Sequence, residues 1–243
     1  MPKLHVLTNK SELKKEQISD KVVIVLDILI ATSSIVTALA NGCKEVVPVR
    51  NYDEALVLQQ QEQYQGYKFS GELNADTLSG FIQPTPIALL EAGMHDSRLV
   101  YCTTNGTVAL TECKNTQITY VGSLLNAQAV TNHLFKNYAK SNILIVCSGS
   151  SDQFNIEDFY GAGYFVECLL NTFSHNTLQL SDSAMAAKIF HNSGSSIDLL
   201  NLSRVGQLLN NREWQNEVAF AAQKDIYPIV PYLTPHGNVE LIT

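Results

Sequence analysis

The chain has 243 residues, 45% of them hydrophobic and 16% charged, with a formal net charge of −7. That length supports a sizeable core, while the acidic balance argues against a nucleic-acid binder, since phosphate backbones are held chiefly by Lys and Arg. No apolar run reaches the roughly 20 residues that span a bilayer, and the start MPKLHVLTNK lacks an apolar stretch followed by a small-residue cleavage site, so a cytoplasmic protein with no membrane partner is expected.

In chain order, VVIVLDI (Val22 to Ile28) is β-branched and nearly unbroken, the pattern of a strand covered on both faces. ATSSIVTALANG then reads as a helix ending at Gly42. EVVPV starts a second strand, YDEALVLQQQEQY is a helix, and YKFSGE is a short strand ending at Gly71 and Glu72. RLVYC leads through TTNGT to VALTEC, ITYVG leads to NAQAVTNHLFKNYA, and NILIVCSG leads through a long loop to EDFYGAGYFVECLLN. From about residue 180 to 225 the pattern turns helical, before a closing IYPIVPYL segment. This alternation predicts one α/β domain over residues 1–243: three layers, α/β/α, with a mostly parallel sheet and a helical C-terminal portion.

Ligands of open parallel sheets bind at the carboxyl ends of the strands, which singles out the residues just beyond each one. Asp27, Thr32 and Ser33 follow the first strand; Gly71 and Glu72 follow a third. Thr103, Thr104, Asn105, Gly106 and Thr107 follow a fourth, Ser123 and Asn126 a fifth, and Gly149, Glu157 and Asp158 lie beyond a sixth. The TTNGT stretch has the chemistry of an anion cradle: Gly admits backbone N–H groups to a ligand, Thr and Asn add neutral donors, and a helix N-terminus follows. The same residue types also make ordinary turns and caps. Asp27, directly after VVIVL, is expensive to bury unpaired, so a divalent metal or a helix N-terminus should compensate it. Asp27, Glu72, Glu157 and Asp158 could supply the one or two carboxylates that Mg²⁺ usually takes. Glu157 and Asp158 equally suit the first turn of a helix.

The cysteines, Cys43, Cys102, Cys113, Cys147 and Cys168, form no C-x-x-C pair and read as reduced and mostly buried. Cys102 and Cys147, each at a strand end, are the two that could serve as nucleophiles. The six histidines show no H-x-x-x-H spacing, and there is no G-x-x-x-x-G-K loop and no G-x-G-x-x-G after a strand. Nucleotide hydrolysis and dinucleotide redox chemistry are therefore disfavoured.

In order and spacing these blocks resemble the 2-phosphosulfolactate phosphatases of the ComB type, found in coenzyme M biosynthesis. VVIVLDILIATSSIVTALANGCKEVVPV resembles the opening block with its D-x-x-R-A-T-S pattern, SGE the G-E-R block, and TTNGT the T-T-N-G-T signature. VGSLLNAQAV, VCSGSSDQFNIEDFYGAGYFV, LSDSAMAA and FAAQKDI are similar to the blocks that follow. The resemblance implies an α/β/α fold and Mg²⁺-dependent hydrolysis of a phosphate monoester of a small acid. Asp27 and Glu72 would be catalytic. Asp27, Glu72, Glu157 and Asp158 would be metal ligands. Thr32, Ser33, Thr103, Thr104, Asn105, Gly106, Thr107, Ser123, Asn126 and Gly149 would bind substrate. The partner implied is a small phosphorylated substrate; whether the chain forms a homo-oligomer is left open by the sequence. Three features depart from the family pattern: Ile30 and Leu73 stand where it has Arg, and GFIQPTP replaces a longer, more polar segment. They leave a second reading, a degenerate paralogue that binds a small ligand or partner protein without turnover.

Overall fold

A computed structural model of the chain describes residues 1–73, 76–150, 153–173 and 177–242; Ser151 and Asp152 of the stretches above, and His175 of the six histidines, lie outside them. The elements of the first half are β1 (Lys3–Leu7), β2 (Lys21–Leu26), α1 (Ala31–Ala40), β3 (Val46–Val49), α2 (Tyr52–Gln59), β4 (Lys68–Leu73), β5 (Asp76–Thr77), α3 (Pro86–Glu91), β6 (Leu99–Cys102) and α4 (Gly106–Glu112). There follow β7 (Ile118–Gly122), α5 (Ala127–Tyr138), β8 (Asn142–Cys147), α6 (Ile156–Phe173) and β9 (Gln179–Leu180). The helical portion is α7 (Asp182–His191), α8 (Ser196–Leu202), α9 (Arg204–Asn211) and α10 (Gln215–Ala221), and the hairpin β10 (Pro231–Leu233) and β11 (Val239–Leu241) closes the chain.

Eleven strands of the described residues form one mixed sheet in the order β5-β4-β6-β3-β11-β10-β7-β2-β8-β1-β9. Two parallel blocks form most of it: β4, β6 and β3 on one side, with the short β5 antiparallel on the outer edge of β4, and β7, β2, β8, β1 and β9 on the other. The antiparallel hairpin joins them, through Tyr232 opposite Tyr120 and Val239 opposite Val46. Helices cover both faces, as the alternation of β2 requires. Val22, Ile24 and Leu26 pack with α5, α6 and α7 residues such as Val130, Phe165 and Ala187. Val23 and Val25 pack on the other face with Ile35 and Leu39 of α1, Leu89 of α3 and Leu110 of α4. The three-layer α/β/α expectation therefore holds, with a largely parallel sheet and the helical portion where the pattern puts it.

The structure adds elements that the chain-order reading does not contain. KLHVL, considered above only as part of a possible leader, is β1, paired in parallel with β8 and β9. Its side chains alternate between exposed and buried, so Lys3 and His5 interrupt the apolar run that marks β2. Because β1 lies beside β8, the turn after it, with Asn9 and Lys10, reaches the same end of the sheet as Asp27 and Gly149.

Candidate active site

A cleft of about 220 Å³ opens where the loops after β2, β6 and β8 meet the start of α9. Asp27, Glu72, Thr103, Thr104, Asn105 and Gly149 line it, together with Ile30, Ser150, Arg204 and Trp214. The residues after different strands thus converge, although the hairpin separates β2 from β6 in the sheet.

Asp27 is buried at 8% exposure. Its Oδ1 accepts the Ala31 N–H at 3.2 Å, and its backbone N–H and C=O both engage the Thr32 hydroxyl, at 3.0 and 2.9 Å. Burial pushes its carboxyl up to about 6; the neighbouring Glu72 pushes the same way, and hydrogen bonds from Ala31 and Ile30 with the charge of Lys10 pull back. Gly106 is where the two halves touch. A Cβ there would sit 2.5 Å from Ala31 Cβ and 2.6 Å from Asp27 Oδ2, so only glycine lets the TTNGT loop close on the acid.

Within that loop the side chains are spent on the protein. Thr103 and Thr107 brace each other: the Thr107 hydroxyl donates to the Thr103 carbonyl at 2.8 Å and accepts its N–H at 3.2 Å. The N–H and hydroxyl of Thr104 both donate to Glu72 Oε1, at 2.7 and 2.9 Å, which fixes that carboxylate at the cleft. Asn105 Oδ1 accepts from Lys10 Nζ at 3.1 Å, and the same ammonium reaches the Ser148 carbonyl at 3.2 Å. Lys10 therefore ties the loops after β6 and β8 together and brings positive charge to the acids. The sequence does not reveal it, because 95 residues separate it from Asn105 and it lies in the turn after β1, a strand with no strong pattern.

Asp158 is a clasp: Oδ1 accepts the Ile28 N–H at 2.8 Å and Oδ2 the Gly149 N–H at 3.1 Å, joining the loops after β2 and β8. Gly149 adopts φ +63°, and a Cβ there would lie 2.5 Å from the Gln153 carbonyl. Burial holds Asp158 well above the carboxylate range, with repulsion from Asp27 and Glu157 adding to it. Glu157 is 1% exposed, and burial pushes it up to about 7. Its Oε1 has no hydrogen-bond partner among the described residues.

The remaining sequence candidates sit elsewhere. Thr32 and Ser33 are fully buried, and the Ser33 hydroxyl donates to the Ile28 carbonyl at 2.9 Å; both shape the β2–α1 turn. Ser123 and Asn126 form a buried capping box: Asn126 Oδ1 accepts the Ser123 N–H at 2.9 Å, and the Ser123 hydroxyl accepts the Leu125 N–H at 3.2 Å. They do not line the cleft, and their chemistry is that of a helix start. Leu73 is 55% exposed and is also absent from the cleft wall, whereas Ile30 is on it. Neither cysteine is poised as a nucleophile: burial pushes Cys102 up to about 12, with Glu72 adding to it, and holds Cys147 well above the thiol range. Arg204, which the sequence likewise does not reveal, donates from Nη2 to the Ser150 hydroxyl. It sits at the start of a C-terminal helix, a region where the sequence offered only amphipathic pattern.

The donor set suits a magnesium ion. Asp27 and Glu72 share one cleft, whereas Glu157, whose orphaned oxygen is buried, and Asp158, whose two oxygens accept backbone N–H groups, are not on its wall. No set of three or more His, Cys, Asp or Glu among the described residues is arranged to cage a metal. Mg²⁺ needs no such cage, since it takes one or two carboxylates and keeps several waters.

Fold and cleft together define an α/β/α protein whose strand-end loops assemble acids, amides and a lysine, the equipment of an enzyme acting on small charged molecules. The chain belongs to the 2-phosphosulfolactate phosphatase family, a family of phosphoric monoester hydrolases: the model described as 2-phosphosulpholactate phosphatase matches residues 7–236. A relative from Clostridium novyi (strain NT) is 32% identical over 231 residues, covering 94% of this chain and 96% of its own. Relatives from Symbiobacterium thermophilum and Clostridium tetani are 33% and 31% identical, covering 93% and 94% of this chain and 97% and 96% of theirs. All three carry the name "Probable 2-phosphosulfolactate phosphatase".

Proposed function

We propose that the protein is a Mg²⁺-dependent phosphatase that hydrolyses a phosphate monoester of a small acid resembling 2-phosphosulfolactate. The observation that carries this reading is the meeting of Asp27, Glu72 and the Thr103–Asn105 loop at one cleft, with Lys10 bonded to Asn105. Asp27 and Glu72 would hold the metal, which when bound neutralises phosphoryl charge and makes water more acidic. Thr104 fixes Glu72 in place, so that carboxylate needs no reorganisation as the reaction proceeds. Lys10 offsets the charge of the phosphate oxygens from the Asn105 side. Without the metal, burial raises the Asp27 carboxyl to about 6, so Mg²⁺ and a proton compete for it just below neutral pH. Asp158 keeps the β2 and β8 loops in register beneath it.

The five cysteines are buried and form no disulfide, which suits a reducing compartment and supports a cytoplasmic assignment. The test is phosphate release from a panel of small phosphate monoesters, with Mg²⁺ and with chelator. Release that requires Mg²⁺ supports the reading; none from any ester contradicts it. The second reading, binding without turnover, is favoured by the aliphatic Ile30 on the cleft wall, and it predicts saturable binding of those esters with no phosphate released.

A further inference from the structure

The cleft has a polar floor and a different upper wall, which α9 supplies. Arg204, Val205, Leu208 and Leu209 all line it, and their spacing puts them on one helical face. That face is an apolar stripe with a single cation at its N-terminal end, and Trp214 and Ile30 extend the apolar surface. The wall is held firmly. Ser203 caps α9 by accepting the Gly206 N–H at 2.9 Å and donates to the Leu200 carbonyl at 2.8 Å. Gly206 is pressed so close to α8 that a Cβ would lie 1.9 Å from the same carbonyl. The Arg204 guanidinium is directed to the cleft by its hydrogen bond to Ser150, and a guanidinium carries five donors in a fork that matches a carboxylate.

We propose that the alcohol portion of the substrate carries one carboxylate, held by Arg204, and a small branched hydrocarbon side chain, held by the apolar face of α9 with Ile30 and Trp214. This rests on the phosphatase reading and narrows its substrate class. A second strongly hydrated anion against that wall would be desolvated with no cation to meet it. A hydrocarbon of a few carbons gains about 0.8 kcal/mol per buried CH₂. Three methylene-sized groups thus favour the apolar substituent by roughly two decades in affinity.

The experiment compares three esters in the presence of Mg²⁺: the phosphate ester of 2-hydroxy-4-methylpentanoate, 2-phosphosulfolactate, and 3-methylbutyl phosphate. The first two share a 2-hydroxy-acid frame and differ in an isopropyl or a sulfonate group; the third lacks the carboxylate. The proposal predicts kcat/KM at least ten-fold higher for the first ester than for either other. Arg204→Ala should raise KM for the carboxylated esters and erase the advantage over 3-methylbutyl phosphate, with Arg204→Lys restoring part of it. Preference for the sulfonate, or an equal loss on all three esters in a folded Arg204→Ala protein, overturns the proposal. If no ester releases phosphate, calorimetry with 2-hydroxy-4-methylpentanoate decides. Binding that Arg204→Ala weakens at least ten-fold removes the phosphatase reading and keeps the wall's specificity, and no binding removes both.

Discussion

At Gly106 a single hydrogen is all that the approach of two loops allows, since a methyl there would meet both Ala31 and Asp27. Gly106→Ala should cost about 1–3 kcal/mol of stability, the usual range for overpacking, and displace the Asp27 carboxylate; the melting temperature and phosphate release should both fall. The missing arginines are separable at the same scale. Ile30 lines the cleft and Leu73 does not, so Ile30→Arg should improve kcat/KM for 2-phosphosulfolactate by about ten-fold or more, the worth of one charge-assisted contact of about 1.5–3 kcal/mol. Leu73→Arg should leave it as it was, and the opposite ranking would place the wall differently. Asp27, Glu72 and the TTNGT loop were legible because an acid after an apolar strand and a small polar run before a helix are local signals. Lys10 and Arg204 were not, because a surface-type cation acquires meaning only from a partner far along the chain. Ser123 and Asn126 form a capping box away from the cleft wall, and the sequence could not separate that from an anion cradle because both draw on the same side chains.

Among the elements, α10 is tied to the start of α3 by one carboxylate. Glu217 accepts the Thr85 hydroxyl at 2.5 Å and the Ile87 N–H at 3.0 Å while only 6% exposed. Glu217→Ala strands both donors, and an unsatisfied buried group costs about 1–3 kcal/mol. At roughly 2–4 °C per kcal/mol for a chain of this size, the melting temperature should drop by several degrees. Since α10 follows the cleft-lining Trp214, KM should rise as well; an unchanged melting temperature would mean that α10 is not anchored through this residue. The helices of this region were readable as helices from their 3.6-residue pattern. That one of them walls the cleft was not, because amphipathic spacing says which face is buried and nothing about what it is buried against.

Over the whole molecule, the alternation of strand and helix was enough to specify three layers, because β-branched runs such as VVIVL must be covered on both faces. The division into two parallel blocks was not legible. It rests on a three-residue hairpin strand at Tyr232 and another at Val239, each too short to carry a pattern. The buried acids also give the molecule a pH signature. Asp27 and Glu157 are pushed from 3.8 and 4.5 up to about 6 and about 7, so the folded state binds more protons than the unfolded one between those values. Their contribution is fully present below about pH 4 and is lost as pH rises through 6 to 7. In chelator, the melting temperature should therefore be lower at pH 8 than at pH 5, by a margin that shrinks in Asp27→Asn. Added Mg²⁺ should raise it more at pH 8, where protons no longer compete for the carboxylates.

If Asp27 anchors a Mg²⁺-dependent phosphatase site, phosphate release by wild type and Asp27→Asn, measured side by side with Mg²⁺ and with chelator, will report it. The substitution removes the charge at nearly constant volume, so folding, checked by circular dichroism, should persist. Wild type should release phosphate only with Mg²⁺, and Asp27→Asn should lose at least two decades of kcat. Equal release by a folded Asp27→Asn protein, or wild-type release that chelator leaves untouched, would rule out that role for Asp27.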